Sequence, residues 1–94
     1  MPLLFFISTY CISKPEIGER LYEITIFDND INSYAEVIET CMLVLNINME
    51  EAFNIAYTID TQGKYAMQVG GKNKANDIAK RIGKIGIKIK VERI

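Results

Sequence analysis

The sequence has no histidine, two cysteines and two prolines among its 94 residues. Without histidine it lacks the usual general base and the commonest metal ligand, so neither catalysis, a metal centre nor a cofactor is expected. Cys11 and Cys41 form neither a zinc-ligand spacing nor a disulfide framework, which fits a reduced, cytoplasmic compartment. So little proline, beside 49% hydrophobic residues, argues against a disordered tail. A long apolar run is missing too. Met1 to Ile12 is apolar except for Ser8 and Thr9, but it is too short to span a bilayer. It also has no basic leader and no small-residue cleavage site, so an extra strand or an apolar strap on the domain is expected.

What remains is enough for one domain with one core. Residues 1–20 read as an apolar N-terminal segment followed by a linker, Lys14-Pro15-Glu16-Ile17-Gly18-Glu19, and residues 21–94 as the core domain. The net charge of −1 conceals an asymmetry. Residues 1–60 carry ten acids against Lys14 and Arg20, a balance of −8, while residues 61–94 carry nine bases against Asp77 and Glu92, a balance of +7. Packed together, the two halves largely neutralise each other.

Leu21 to Phe27 alternates Tyr22, Ile24 and Ile26 with Glu23 and Thr25, the period of a half-buried strand. Ser33-Tyr34-Ala35-Glu36 reads as a capping box opening a helix to about Asn46. Tyr34, Val37, Ile38, Cys41 and Leu45 recur on one face of it, which Met42, Leu43 and Val44 widen. Asn48 and Glu51 open a second helix, to about Thr61, with Ala52, Ile55, Ala56 and Ile59 inside and Gly63 as the turn. Tyr65, Met67 and Val69 mark a second strand closed by Gly70-Gly71. A third helix over about Asn73–Ile82 buries Ala75, Ile78, Ala79 and Ile82, and Ile85, Ile87, Ile89 and Val91 mark a last strand. The order β-α-α-β-α-β predicts an α+β fold, a two-layer α/β sandwich whose three-stranded sheet is covered by three helices.

The first strand runs straight into Asp28-Asn29-Asp30. Such a strand-to-helix junction holds polar side chains on a rigid edge, a common place for a recognition site. Turn and cap roles account for the same residue types.

Together with the Asn32-Ser33 turn and the run from Glu50-Glu51-Ala52 to Gln62-Gly63-Lys64, this triplet resembles the ClpS adaptors, which deliver proteins bearing N-terminal degrons to the Clp protease. The resemblance covers about residues 21–94 and implies a non-catalytic adaptor. It implies two partners: the N-terminal domain of a Clp-family AAA+ chaperone, and substrates beginning with a bulky hydrophobic residue. It places the substrate's α-amino group on Asp28, Asn29, Asp30 and Asp60. The first side chain falls among Asn32, Tyr34, Val37, Ala56, Ile59 and Ile87, and chaperone contact on Asn73 and Ile78. The triplet reads Asp-Asn-Asp where the family usually has Asn-Asp-Asp. Asp60 stands in place of a histidine, and Tyr34 and Ala56 in place of methionines that help gate the pocket.

Other readings are weaker. An interaction module of the same fold without N-terminal recognition, such as a ribosomal stalk C-terminal domain, is the main alternative, but that domain is usually rich in Ala, Gly and Lys in its first helices. Lys72 to Lys90 carries seven bases against Asp77 but no aromatic residue, so it lacks a stacking platform for nucleic acid and reads as a solvated face. Lys64 near Asp60, or Asp28 with Asp30, could be drawn as an acid/base pair, but no nucleophile or phosphate loop accompanies them. Tyr57 and Cys41 are expected in the core.

Overall fold

Strand β2, Leu21–Phe27, is the middle of the structure, a computed structural model that describes residues 11–13 and 20–94. Around it the elements run β1 (Cys11–Ser13), β2, α1 (Tyr34–Leu45), α2 (Met49–Gln62), β3 (Lys64–Gly70), α3 (Lys72–Gly83) and β4 (Ile89–Arg93). β2 pairs antiparallel with β3 on one side and with β4 on the other. The three-stranded sheet of the expected sandwich is therefore present, and the short β1 adds a fourth, edge strand parallel to β3, giving the order β1-β3-β2-β4. The expected linker over residues 14–19 lies outside the described residues, as do residues 1–10 of the apolar segment; Cys11–Ser13 of that stretch is the extra strand.

Three helices close one face of this sheet over a single core. Ile24 and Ile26 of β2 and Met67 and Val69 of β3 are wholly buried. They meet Val37, Cys41 and Leu45 of α1, Ala52, Ile55, Ala56 and Ile59 of α2, and Ala75, Ile78 and Ile82 of α3. Burial removes these side chains from water at about 1.5–3 kcal/mol for each large aliphatic residue, so the periodic stripes hold the layers together. Thr25, on the opposite face of β2, is also buried, because a central strand is flanked by side chains from both neighbours, here Ala66 and Lys90.

Four local expectations need correction. Leu43 is 77% exposed, so the buried face of α1 is the narrower stripe of Val37, Cys41 and Leu45, with Met42 and Val44 half-buried. Tyr57 is 53% exposed: it lies off the inner stripe of α2 and faces water. Ser33 does cap α1 by accepting from the Glu36 amide (3.2 Å), but the Glu36 carboxylate accepts from the side chain of Asn32 (2.6 Å) instead of completing a box. Asn48 and Glu51 do form the reciprocal box at α2. Finally, β4 starts at Ile89, not Ile85. Lys84 to Gly86 form a turn with Gly86 at φ 91°, leaving Ile87 buried in an extended stretch ahead of the strand.

Among the described residues no helix is long and apolar enough to cross a membrane.

Candidate functional site

At the end of β2 the sheet, two helices and the α3–β4 connection meet around a pocket of about 150 Å³. Its position follows from backbone hydrogen bonds. The Phe27 amide donates to Lys88 O and the Asp28 amide to Gly63 O, both at 3.0 Å, so the strand end is pinned between the turn after α2 and the approach to β4. Gly63 can take that turn because its φ of 87° costs a glycine little. The pinning brings Asp60, in the last turn of α2, beside Asp28 although thirty-odd residues separate them.

The pocket is lined by Asp28, Asn29, Asp30, Asn32, Tyr34, Val37, Ala56, Ile59, Asp60 and Ile87, the residues on which the resemblance places the substrate's first residue, with Ser33 added. Its floor is aliphatic: Val37, Ala56, Ile59 and Ile87 are each at least 92% buried. Its rim is acidic. Asp28, Asp30 and Asp60 are exposed, and no basic residue lines the pocket. A cavity of about this size elsewhere holds a benzene molecule, so one ring or one branched aliphatic group fits the space.

The polar lining residues divide into those tied up by the fold and those left open. Asn29 belongs to the first group. Its Oδ1 accepts from the amides of Ile31 (3.2 Å) and Asn32 (3.0 Å), and its Nδ2 donates to Asn32 Oδ1 (2.7 Å) and, at 3.5 Å, to Gly86 O. Asn32 Nδ2 donates in turn to Ile85 O at 2.8 Å and to Glu36. These two asparagines stitch the β2–α1 loop to the α3–β4 turn and hold Ile87 under the pocket; Asn29 has little acceptor capacity left. The carboxylates of Asp28 and Asp30 make no hydrogen bond or ion pair with any described residue.

Asp60 stands between these cases. Its Oδ2 accepts a 2.8 Å hydrogen bond from the Tyr34 hydroxyl, which leaves Oδ1 without a partner among the described residues. The Tyr34 phenol is pushed up to about 12, first by that hydrogen bond, then by desolvation, then by the negative charge of Asp60, with smaller effects of Tyr57 and Asp28. The bond makes Tyr34 a wall of the pocket. Neither that bond nor the rings behind it were expected from the residues: Phe53 lies 6.0 Å from Tyr34, and Tyr57 lies 6.2 Å from Phe53. The available signal was a pair of aromatic residues four apart and off the apolar stripe of α2.

Among the described residues no group of three or more Cys, Asp or Glu is arranged to hold a metal ion. The expected chaperone-contact pair splits. Asn73 is exposed in the first turn of α3, but Ile78 is 4% exposed and packed in the core, where it cannot touch a partner. Ile78 lies three residues after Ala75 and four before Ile82, on the same inward stripe of the amphipathic helix.

Comparison with known proteins agrees with the fold. No curated protein matches the chain. The structure of Agrobacterium tumefaciens ClpS2 bound to L-phenylalaninamide is similar at a TM-score of 0.73 and 15% identity, covering 80% of this chain and 98% of that one. At that identity the likeness speaks for the fold. The family model "ATP-dependent Clp protease adaptor protein ClpS" matches residues 18–88, a span that contains the central strand, all three helices and every pocket residue. With most of its length inside that match, the chain belongs to the ClpS family of Clp protease adaptors.

Proposed function

We propose that this adaptor binds the first residue of substrate polypeptides, holding the α-ammonium at the acidic rim and the first side chain over the aliphatic floor, and delivers them to a Clp-family chaperone. The observation that carries the reading is the meeting of three carboxylates and four buried aliphatic side chains in one pocket. An ammonium brings three donors, and a carboxylate offers only acceptors, so Asp28, Asp30 and the open oxygen of Asp60 supply complementary partners. An internal peptide amide has no such charge, and selection for a chain's beginning follows. Burying a Leu or Phe side chain on the floor adds about 1.5–3 kcal/mol. The similar ClpS2 was solved with an amino-acid amide bearing a free amine and a benzyl side chain, a ligand with these same two features.

Asp60, in the place of the family's histidine, preserves an acceptor for the amine. Ala56 and Tyr34, in place of methionines, leave room in the floor and fix one wall. Asn73, exposed at the start of α3, is the remaining residue of the expected chaperone contact.

Fluorescence anisotropy with short peptides that differ only in their first residue tests the reading. Peptides beginning with Leu, Phe or Tyr bind, and their N-acetylated forms do not. Equal affinity for free and acetylated peptides would remove amine recognition. Delivery is tested by degradation of a Leu-initiated reporter by a Clp protease with and without the adaptor.

A further inference from the structure

Beside the pocket mouth, α2 exposes two aromatic rings that lie outside the core. Phe53 is 46% and Tyr57 53% exposed, and the two rings stack at 6.2 Å with an interplanar angle of 22°. Tyr34 joins them to the pocket: it lines the hollow on one side and meets Phe53 at 6.0 Å on the other. Helical pitch makes the connection tight. Phe53 lies three residues before Ala56 of the floor, and Tyr57 three residues before Asp60 of the rim, so each ring is one turn from the site.

We infer that the Phe53–Tyr57 pair is a second subsite, taking an aromatic or long apolar side chain at the third residue of a bound substrate. The inference rests on the proposed seating of the first residue. A chain held by its beginning must leave through the mouth, and this wall of the mouth is aromatic. In an extended peptide, side chains of residues one and three share a face and lie about 6.4–6.8 Å apart, while the second points away. Tyr34 lines the pocket and lies 6.0 Å from the ring of Phe53, so the aromatic pair begins directly behind the wall of the first subsite. Elsewhere the rim is carboxylate, from Asp28, Asp30 and Asp60, which suits the ammonium and not an apolar side chain.

The test uses anisotropy with three peptide series, Leu-Ala-Ala, Leu-Phe-Ala and Leu-Ala-Phe followed by a common polar tail, each free and N-acetylated. They are measured on the wild-type chain and on Phe53→Ser/Tyr57→Ser, with circular dichroism to show that the variant is folded. Expected is roughly three- to tenfold tighter binding of free Leu-Ala-Phe, the worth of one aromatic pair. The advantage vanishes in the double variant, while Leu-Ala-Ala binding and its sensitivity to acetylation are retained. Binding that is indifferent to the third residue, or an advantage that persists in the folded double variant, overturns the second subsite alone. Acetylated and free peptides binding the wild type equally would overturn the seating of the first residue and the second subsite with it. Should the double variant not fold, Tyr57→Ala and Phe53→Leu, each keeping part of the surface, are read the same way.

Discussion

The Tyr34 hydroxyl donates a 2.8 Å hydrogen bond to Asp60, joining the first turn of α1 to the last turn of α2 across the mouth of the pocket. Asp60 holds the phenolic proton and raises the Tyr34 pKa from 10.0 to about 12. Between those values the folded chain binds more protons than the unfolded chain, so stability falls as pH rises through that window. Below pH 10 the contribution is fully present. Tyr34→Phe and Asp60→Asn should each lose less stability than the wild type between pH 10 and about 12 in denaturant titrations. Ultraviolet titration should show one fewer tyrosine titrating near 12 in Tyr34→Phe than in the wild type.

Peptide binding should separate the polar residues of the loop into two kinds. Asp28→Asn and Asp30→Asn remove charge from carboxylates that bond to no described residue. They should weaken binding of a free N-terminus roughly tenfold, as expected for a charged hydrogen bond, with melting behaviour unchanged. Asn29→Ala removes the acceptor of two backbone amides and the donor to Asn32, and should cost about 1–2 kcal/mol of stability by denaturant titration. An Asn29→Ala chain of wild-type stability with abolished binding would show that Asn29 meets the ligand directly.

How far this could be read from the sequence depended on whether a residue's role was periodic. β2 and the stripe Ala52, Ile55, Ala56, Ile59 were legible because one repeating face is enough to specify them, and the ends of α2 because Asn48, Glu51 and Gly63 are local cap signals. The full pocket lining was legible only through the family resemblance: nothing local in the sequence says that the Asp28 amide will meet Gly63 O and carry Asp60 alongside. The alternation from Ile85 to Val91 looked like one strand because an extended loop and a ladder share the same period. The Gly86 turn and its bonds from Asn29 and Asn32 decide where pairing starts. Leu43 and Tyr57 were misplaced for another reason. Hydrophobicity alone was counted, and helical angle puts both outside the stripes that meet the sheet.

An acidic rim reading a cation should respond to salt and to the ligand's own proton. Raising ionic strength from about 0.1 M to about 1 M shortens the screening length from about 10 Å to about 3 Å, and affinity for a Leu-initiated peptide should fall several-fold. Raising pH above about 8 deprotonates the peptide's α-amine and should weaken binding further, with the midpoint near the amine's own pKa of about 7.7–8.0. Isothermal titration across these conditions checks both. Affinity unaffected by salt and by alkaline pH would mean that apolar burial alone holds the peptide.

Cys41 gives a report on the core independent of any ligand. Its side chain is wholly buried on the inner stripe of α1, and burial pushes the thiol from 9.0 up to about 12. The thiolate is the reactive form, so both access and ionisation protect it. In a Cys11→Ser chain, a thiol reagent at pH 8 should label Cys41 only at the rate of global opening, and denaturant should release that protection in step with unfolding. The sign of the linkage repeats that of Tyr34: the contribution is whole below pH 9 and is lost as pH rises toward about 12. Cys41→Ala should remove this alkaline loss at the expense of a small cavity. Cys41→Ser, which places a hydroxyl in the apolar core, should cost about 1–3 kcal/mol if that hydroxyl finds no partner. Labelling of Cys41 at the rate of a free thiol under native conditions would mean that α1 opens locally, away from α2 and α3.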